Sequence, residues 1–137
     1  GFGYLKPSSE NSVIKGVLFE HNIFPQKYTE DHLLFRVMIG GMHNPHVLDC
    51  SKKKLEDIAL AEIHELFKPE ISPFDIFMTS WPKAIPQYDQ KYSQSLKVIN
   101  EHLPKLSNIH IVANYLNGIS FNDCVENASK AAQSVQL

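Results

Sequence analysis

The sequence predicts an α+β fold: a mainly antiparallel sheet with three helices, in the order β-β-β-α-β-α-β-α. Three observations lead there. Short alternating or β-branched apolar runs, joined by links of turn length, fill positions 2–39. Two segments, 51–67 and 89–103, carry apolar residues at helical spacing, and proline follows each. A strand pattern, a glycine and a helix start then follow one another from Ile109 onward. Runs of strands followed by alternating elements read as α+β rather than as a doubly wound sheet.

Phe2-Gly3-Tyr4-Leu5 is the first strand, stopped by Pro7 and the polar turn from Ser8 to Ser12. The second runs from Val13 to Asn22, and Gly16 within it marks a bulge or a close backbone approach. Pro25 and the polar stretch from Gln26 to Asp31 end it. From Leu33 to Ile39, Leu33, Phe35, Val37 and Ile39 face one way and Leu34, Arg36 and Met38 the other. With links this short, the three strands form an antiparallel meander.

Gly40-Gly41 closes the meander, and a loop through His43, Pro45 and His46 leads to a helix with Ser51 as its N-cap. Leu55, Ile58, Ala59, Glu62, Ile63, Leu66 and Phe67 share one face of that helix. Glu62 is its one polar member and is expected to be partly buried. The Lys52-Lys53-Lys54 run reads as the solvated start of the same helix. Pro69 and Pro73 end it, and Phe74 to Thr79 reads as a fourth strand. The two prolines of Trp81-Pro82-Lys83-Ala84-Ile85-Pro86-Gln87-Tyr88 forbid a regular element and set a stiff, extended path. A second helix covers about 89–103, with Tyr92, Leu96, Ile99 and Leu103 on one face, and Pro104 stops it. Ile109 to Tyr115 is the last strand and Gly118 the turn after it. Asn122 or Asp123 then caps a third helix, which carries Val125, Ala128, Ala132 and Val135 at helical spacing.

The 137 residues amount to one domain or a fragment, with 43% hydrophobic and 20% charged residues, the balance of a globular protein. A net charge of −2 gives no basic field for nucleic acid. No apolar run approaches the ~18 residues of a membrane span, which leaves peripheral membrane contact open. Cys50 and Cys124 are too few for a disulfide framework, which fits a reducing cytoplasm. The chain starts at Gly1 and shows no signal segment, so it reads as trimmed or as a piece of something longer.

His43 and His46 have ligand spacing, but only Asp49 is near them and a metal needs three or four convergent donors, so no metal is expected. No G-x-S-x-G, H-E-x-x-H or P-loop pattern occurs. Glu62 and Glu65 are better explained by a helix face than by acid–base work. The Trp81–Tyr88 segment, stiff and edged with amide and phenol groups, suits either a wall beside a flat aromatic ligand or a plain crossover. The Gly118 turn reads as an ordinary β-turn-α connection or as a place where backbone N–H groups meet an electron-rich ligand.

Asn117-Gly118-Ile119-Ser120-Phe121-Asn122-Asp123-Cys124-Val125 and the Trp81–Tyr88 block resemble the C-terminal flavin-binding part of oxygen-dependent protoporphyrinogen oxidases. These belong to the FAD-containing amine-oxidase-like superfamily. Gly1-Phe2-Gly3-Tyr4-Leu5, Gly16-Val17-Leu18-Phe19 with Phe24-Pro25, and Val37-Met38-Ile39-Gly40-Gly41 match in the same order, so the resemblance covers essentially the whole chain. It implies substrate-domain strands plus the last strand and helix of an FAD domain whose N-terminal dinucleotide-binding fold is absent. The Gly-x-Gly-x-x-Gly loop of that fold does not occur here.

The resemblance further implies oxidation of protoporphyrinogen IX to protoporphyrin IX for haem synthesis, by three flavin-mediated steps with oxygen as acceptor. The isolated chain would be inactive and would not bind FAD tightly. Trp81 would lie against the flavin, Gly118 would permit its approach, and Ile119, Ser120 and Phe121 would offer backbone groups to the ring; no catalytic residue is assigned. The implied partners are a tetrapyrrole substrate and the missing FAD domain. The expected location is the cytoplasm or the inner face of the cell membrane, and a homo-oligomer stays open. Two departures stand out: Gln90-Lys91-Tyr92 where members often have Gly-His, and Ala113 where many have glycine. The competing reading is a free-standing α+β binding or interaction module that keeps the family sequence without its chemistry.

Overall fold

A computed structural model describes residues 1–29, 31–68, 72–106 and 108–135. It divides into two compact units, Gly1–Ser80 and Trp81–Leu137.

The first unit is built on β1 (Gly3–Leu5), β2 (Ile14–Phe19) and β3 (Phe35–Ile39), an antiparallel sheet in the order β1-β2-β3. The expected meander is there. Tyr4 pairs with Val17, and Phe19 with Phe35. Ile14 stands opposite Ile39 and Gly16 opposite Met38, so Lys15 is the extra residue of a bulge. A Cβ on Gly16 would lie 2.5 Å from the Tyr4 carbonyl oxygen. Bulge and close approach therefore both occur at this glycine.

The second strand stops at Phe19 rather than Asn22, because the chain winds into a single helical turn, α1 (Glu20–Ile23). That turn keeps Glu20 buried at 4% exposure, with its carboxylate 2.9 Å from Arg36 Nε on β3. The third strand begins at Phe35, not Leu33, since Leu34 bonds to α1 instead: Glu20 N–H donates to its carbonyl at 3.0 Å.

Helix α2 (Lys52–Phe67) starts where expected, with Ser51 Oγ accepting from Lys54 N–H at 3.3 Å. Lys52 and Lys53 reach Glu56 and Asp57 one turn on, the solvated start that the lysine run suggested. At its other end, Phe67 joins Phe19 and Phe35 in an aromatic cluster with ring centroids 5.2–5.7 Å apart. Ile14, Val17 and Val47 are the buried aliphatics among the described residues of this unit. Glu62 is buried as well, and its partners explain a polar residue on the apolar face: Lys6 Nζ donates to it at 2.6 Å and Tyr4 Oη at 2.7 Å. These bonds pin β1 to the helix. α2 closes on Lys68 in the left-handed region (φ 44°), while its expected proline stop, Pro69, lies outside the described residues.

The expected fourth strand, Phe74–Thr79, does not form. Phe74 and Phe77 are 85% and 90% exposed. A strand needs a neighbour for its N–H and C=O groups, and no ladder in this unit reaches the segment.

In the second unit α3 (Gln90–His102) is capped by Asp89, whose Oδ1 accepts from Tyr92 N–H at 2.7 Å. α4 (Phe121–Ser134) is the last helix. Ile109–Tyr115 is not a strand either, for the same reason. Its one backbone bond among the described residues is the turn from Leu116 N–H to the Ala113 carbonyl, 3.0 Å. The fold is thus α+β with three strands, the two further strands of the expected order being absent among the described residues. No helix there is long and apolar enough to cross a membrane.

Candidate functional site

The turn from Ala113 to Ser120 is held from both sides. Tyr92 Oη on α3 donates to the Tyr115 carbonyl at 2.7 Å, and Asn127 Nδ2 on α4 donates to the Leu116 carbonyl at 3.2 Å. Leu116 between them is buried. Asn117 then takes a left-handed conformation (φ 60°) and Gly118 one that side chains rarely adopt (φ 128°).

The helix that follows is capped by Ser120, not by Asn122 or Asp123. Ser120 Oγ accepts from Asp123 N–H at 3.0 Å, and Asp123 Oδ2 accepts from Ser120 N–H at 3.1 Å. This is a reciprocal capping box on the pattern S-x-x-D. Asp123 is its third-position partner, one turn inside the helix. The Ser120 hydroxyl first, and then the Ser120 backbone N–H, hold the Asp123 carboxyl below the usual carboxylate range. It is ionised at neutral pH and spent on the cap, which suits orienting the turn rather than acting as a base. Ser120→Ala removes one of the two reciprocal bonds and is expected to cost about 1 kcal/mol. Thermal unfolding followed by helix circular dichroism measures it.

The cap satisfies two of the four donors that a helix start leaves open. Among the described residues the N–H groups of Phe121 and Asn122 have no acceptor. Ile119 and Phe121 flank them, 39% and 82% exposed. A Cβ on Gly118 would sit 2.5 Å from Asp123 Oδ2. Glycine therefore lets the turn and its cap coexist. Two adjacent donors beside an open backbone fit the acceptor edge of a flat heteroaromatic ring.

Of the residues singled out from sequence, Gly118, Ile119, Ser120 and Phe121 fall together in this turn. Trp81 does not join them: it is 68% exposed, with no hydrogen bond or ring contact to the turn among the described residues. Tyr88, from the same proline-stiffened block, comes closer. Its ring packs on Tyr92 at 4.7 Å between centroids, and partial burial, then Tyr92, Asp123 and Cys124, push its phenol up. Sequence reasoning passed over Tyr92 and Asn127 as supports of the turn. Tyr92 showed only as a member of an apolar helix face, and nothing local marks a phenol whose partner lies 23 residues on. Tyr92→Phe is expected to cost about 1 kcal/mol in urea unfolding and to raise amide exchange around Leu116.

Among the described residues no three His, Cys, Asp or Glu side chains gather into a metal-holding group. Cys50 and Cys124 are free and half-buried.

Residues 2–136 match the flavin-containing amine oxidoreductase family. Across 161 residues the chain is 29% identical to the protoporphyrinogen oxidase of Dictyostelium discoideum, covering 100% of this chain and 30% of that protein. It is 27% identical to the mitochondrial protoporphyrinogen oxidase of Nicotiana tabacum, covering 98% and 27%. It is also 22% identical to the coproporphyrinogen III oxidase of Bacillus subtilis (strain 168), covering 100% and 29%. The chain thus spans under a third of the length of these relatives. With all but its terminal positions matched, the chain belongs to the flavin-containing amine oxidoreductase family.

Proposed function

We propose that this chain is the C-terminal part of an FAD-dependent protoporphyrinogen oxidase, contributing to the oxidation of protoporphyrinogen IX to protoporphyrin IX in haem biosynthesis. The observation that carries the reading is the Gly118 turn opening onto the free N–H groups of Phe121 and Asn122. When bound, FAD supplies the electron acceptor that passes reducing equivalents on to oxygen. The residues of this chain bind and orient. The Phe121 and Asn122 N–H groups would face the acceptor edge of the ring, and the α4 N-terminus would favour negative charge there. Gly118 keeps the approach open, and Tyr92 and Asn127 hold the turn in register. The Asp123 carboxylate, tied to Ser120, sets the geometry without competing for those two donors.

On this reading the isolated chain is inactive, and a dinucleotide-binding portion completes the pocket. Phe74–Thr79 and Ile109–Tyr115, strong strand patterns without ladders, are the segments that pair with its sheets. The length of the relatives supports this.

Mixing the 137-residue chain with the separately produced dinucleotide-binding portion of a protoporphyrinogen oxidase relative tests the proposal. Quenching of FAD fluorescence and growth of porphyrin fluorescence are expected only with both pieces present. If the mixture, shown by sedimentation to form a complex, neither quenches FAD nor oxidises the porphyrinogen, the reading is wrong.

A further inference from the structure

We infer that the cleft beside the β2 bulge is a binding site for a carboxylate group, independent of the flavin reading. It is a cavity of about 280 Å³ lined by Ser8, Asn11, Ser12, Lys15, His43 and Asn44. That is room for one carboxylate and a short aliphatic stem. Every lining side chain is neutral-polar or basic, and none is acidic.

The bulge gives the site its cation. Lys15 is the extra residue of β2, and a bulge re-aims the side chain it carries. Its ammonium donates to the Ser12 carbonyl at 3.3 Å, which leaves two N–H bonds for another acceptor. Among the described residues Lys15 makes no ion pair, so no carboxylate of the chain competes for those two N–H groups. An anion in the cleft supplies the counter-ion that this partly exposed lysine lacks among the described residues.

Hydrogen bonds tie the walls to one another. Ser12 Oγ accepts from Ile14 N–H at 3.1 Å, and Asn44 Nδ2 donates to the Ser12 carbonyl at 3.5 Å. Asn44 N–H donates to the Gly41 carbonyl at 2.9 Å, and Gly40 N–H to the Val13 carbonyl at 2.8 Å. His43 sits on the rim of this frame, which gives that histidine a role other than metal binding.

The charge selects the ligand class. One lysine with neutral hydroxyl and amide donors balances a monoanion. A dianionic phosphate ordinarily draws on arginine forks, and no arginine lines this cleft.

The test is a titration of the isotope-labelled 137-residue chain with sodium propionate, inorganic phosphate or sodium chloride at constant ionic strength, read by amide NMR shifts. Propionate is expected to give saturable shifts at Ser12, His43 and Asn44, at least about tenfold tighter than chloride and tighter than phosphate. Lys15→Met should abolish them, Lys15→Arg keep them, and Lys54→Met leave them unchanged. Lys15→Gln stands in for the first variant if its spectrum shows loss of fold. Non-saturating shifts, a preference for phosphate, or propionate shifts that persist in a folded Lys15→Met or Lys15→Gln chain would each overturn the assignment.

Discussion

Gly118→Val is expected to destabilise the second unit by about 2–4 kcal/mol, adding a strained backbone to a lost cap. Both terms come from one atom. At φ 128° a β-branched residue has no comfortable conformation, and its Cβ would fall 2.5 Å from Asp123 Oδ2 and 2.6 Å from Asp123 Cγ. Either the turn opens or Asp123 swings away and releases the Ser120 N–H. Urea unfolding should show the loss. A second variant, Asp123→Asn, keeps the volume and weakens only the cap, so it should cost less than half as much. In the reconstituted flavin complex Gly118→Val is further expected to weaken FAD binding at least tenfold, about 1.4 kcal/mol. Full retention of both stability and binding in Gly118→Val would show that the turn tolerates a side chain and is not the close-approach point.

The second large effect belongs to Glu62. Glu62→Ala leaves the Lys6 ammonium and the Tyr4 hydroxyl facing a buried gap, and is expected to cost about 3 kcal/mol. Glu62→Gln keeps a hydrogen-bond acceptor and should cost less. The pH dependence follows from the direction of the shift. Burial alone would raise the Glu62 carboxyl, but the hydrogen bonds from Lys6 and Tyr4 outweigh it and bring it below the usual range. A group whose folded pKa is depressed stabilises the fold above its unfolded value, about 4.3, and loses that contribution as the pH falls through the folded pKa. Unfolding free energies taken from pH 6 down to pH 2.5 should therefore converge for the native chain and Glu62→Gln at the acid end. Parallel curves would mean that the carboxylate contributes nothing that its amide does not. Burial, then the bond to Glu62, pushes the Tyr4 phenol up, and the same carboxylate holds the Lys6 ammonium above its ordinary value. Neither group titrates within that window.

Elements that satisfy their own backbone were legible. Helices α2, α3 and α4 announced themselves through apolar spacing, α2 also through Ser51 ahead of its first turn, and the first two through the proline that follows, whereas the Asp89 cap of α3 came only with the structure. The meander was legible because its links are short and alternation fixes which face is buried, and Gly16 marked its bulge. The cap of α4 was misplaced by two or three residues. Asn122 and Asp123 are good caps by residue type, but the hydroxyl of Ser120 stands at the spacing that lets Asp123 reply. Trp81 was set against the flavin by the resemblance and not by any local pattern; a stiff segment does not say where its end points, and Tyr88 is the residue of that block that packs on Tyr92.

The sequence by itself determined the α+β class, the three-stranded meander, the helices and the family, because each rests on local periodicity or on contiguous motifs. Tertiary structure alone decided that Phe74–Thr79 and Ile109–Tyr115 stay without ladders, that Glu62 answers to Tyr4 and Lys6, and that Tyr92 and Asn127 hold the Gly118 turn. A helix finds its hydrogen-bond partners four residues away in its own sequence. A strand, a buried carboxylate or a supporting phenol finds them wherever the chain returns, and no local pattern records that distance.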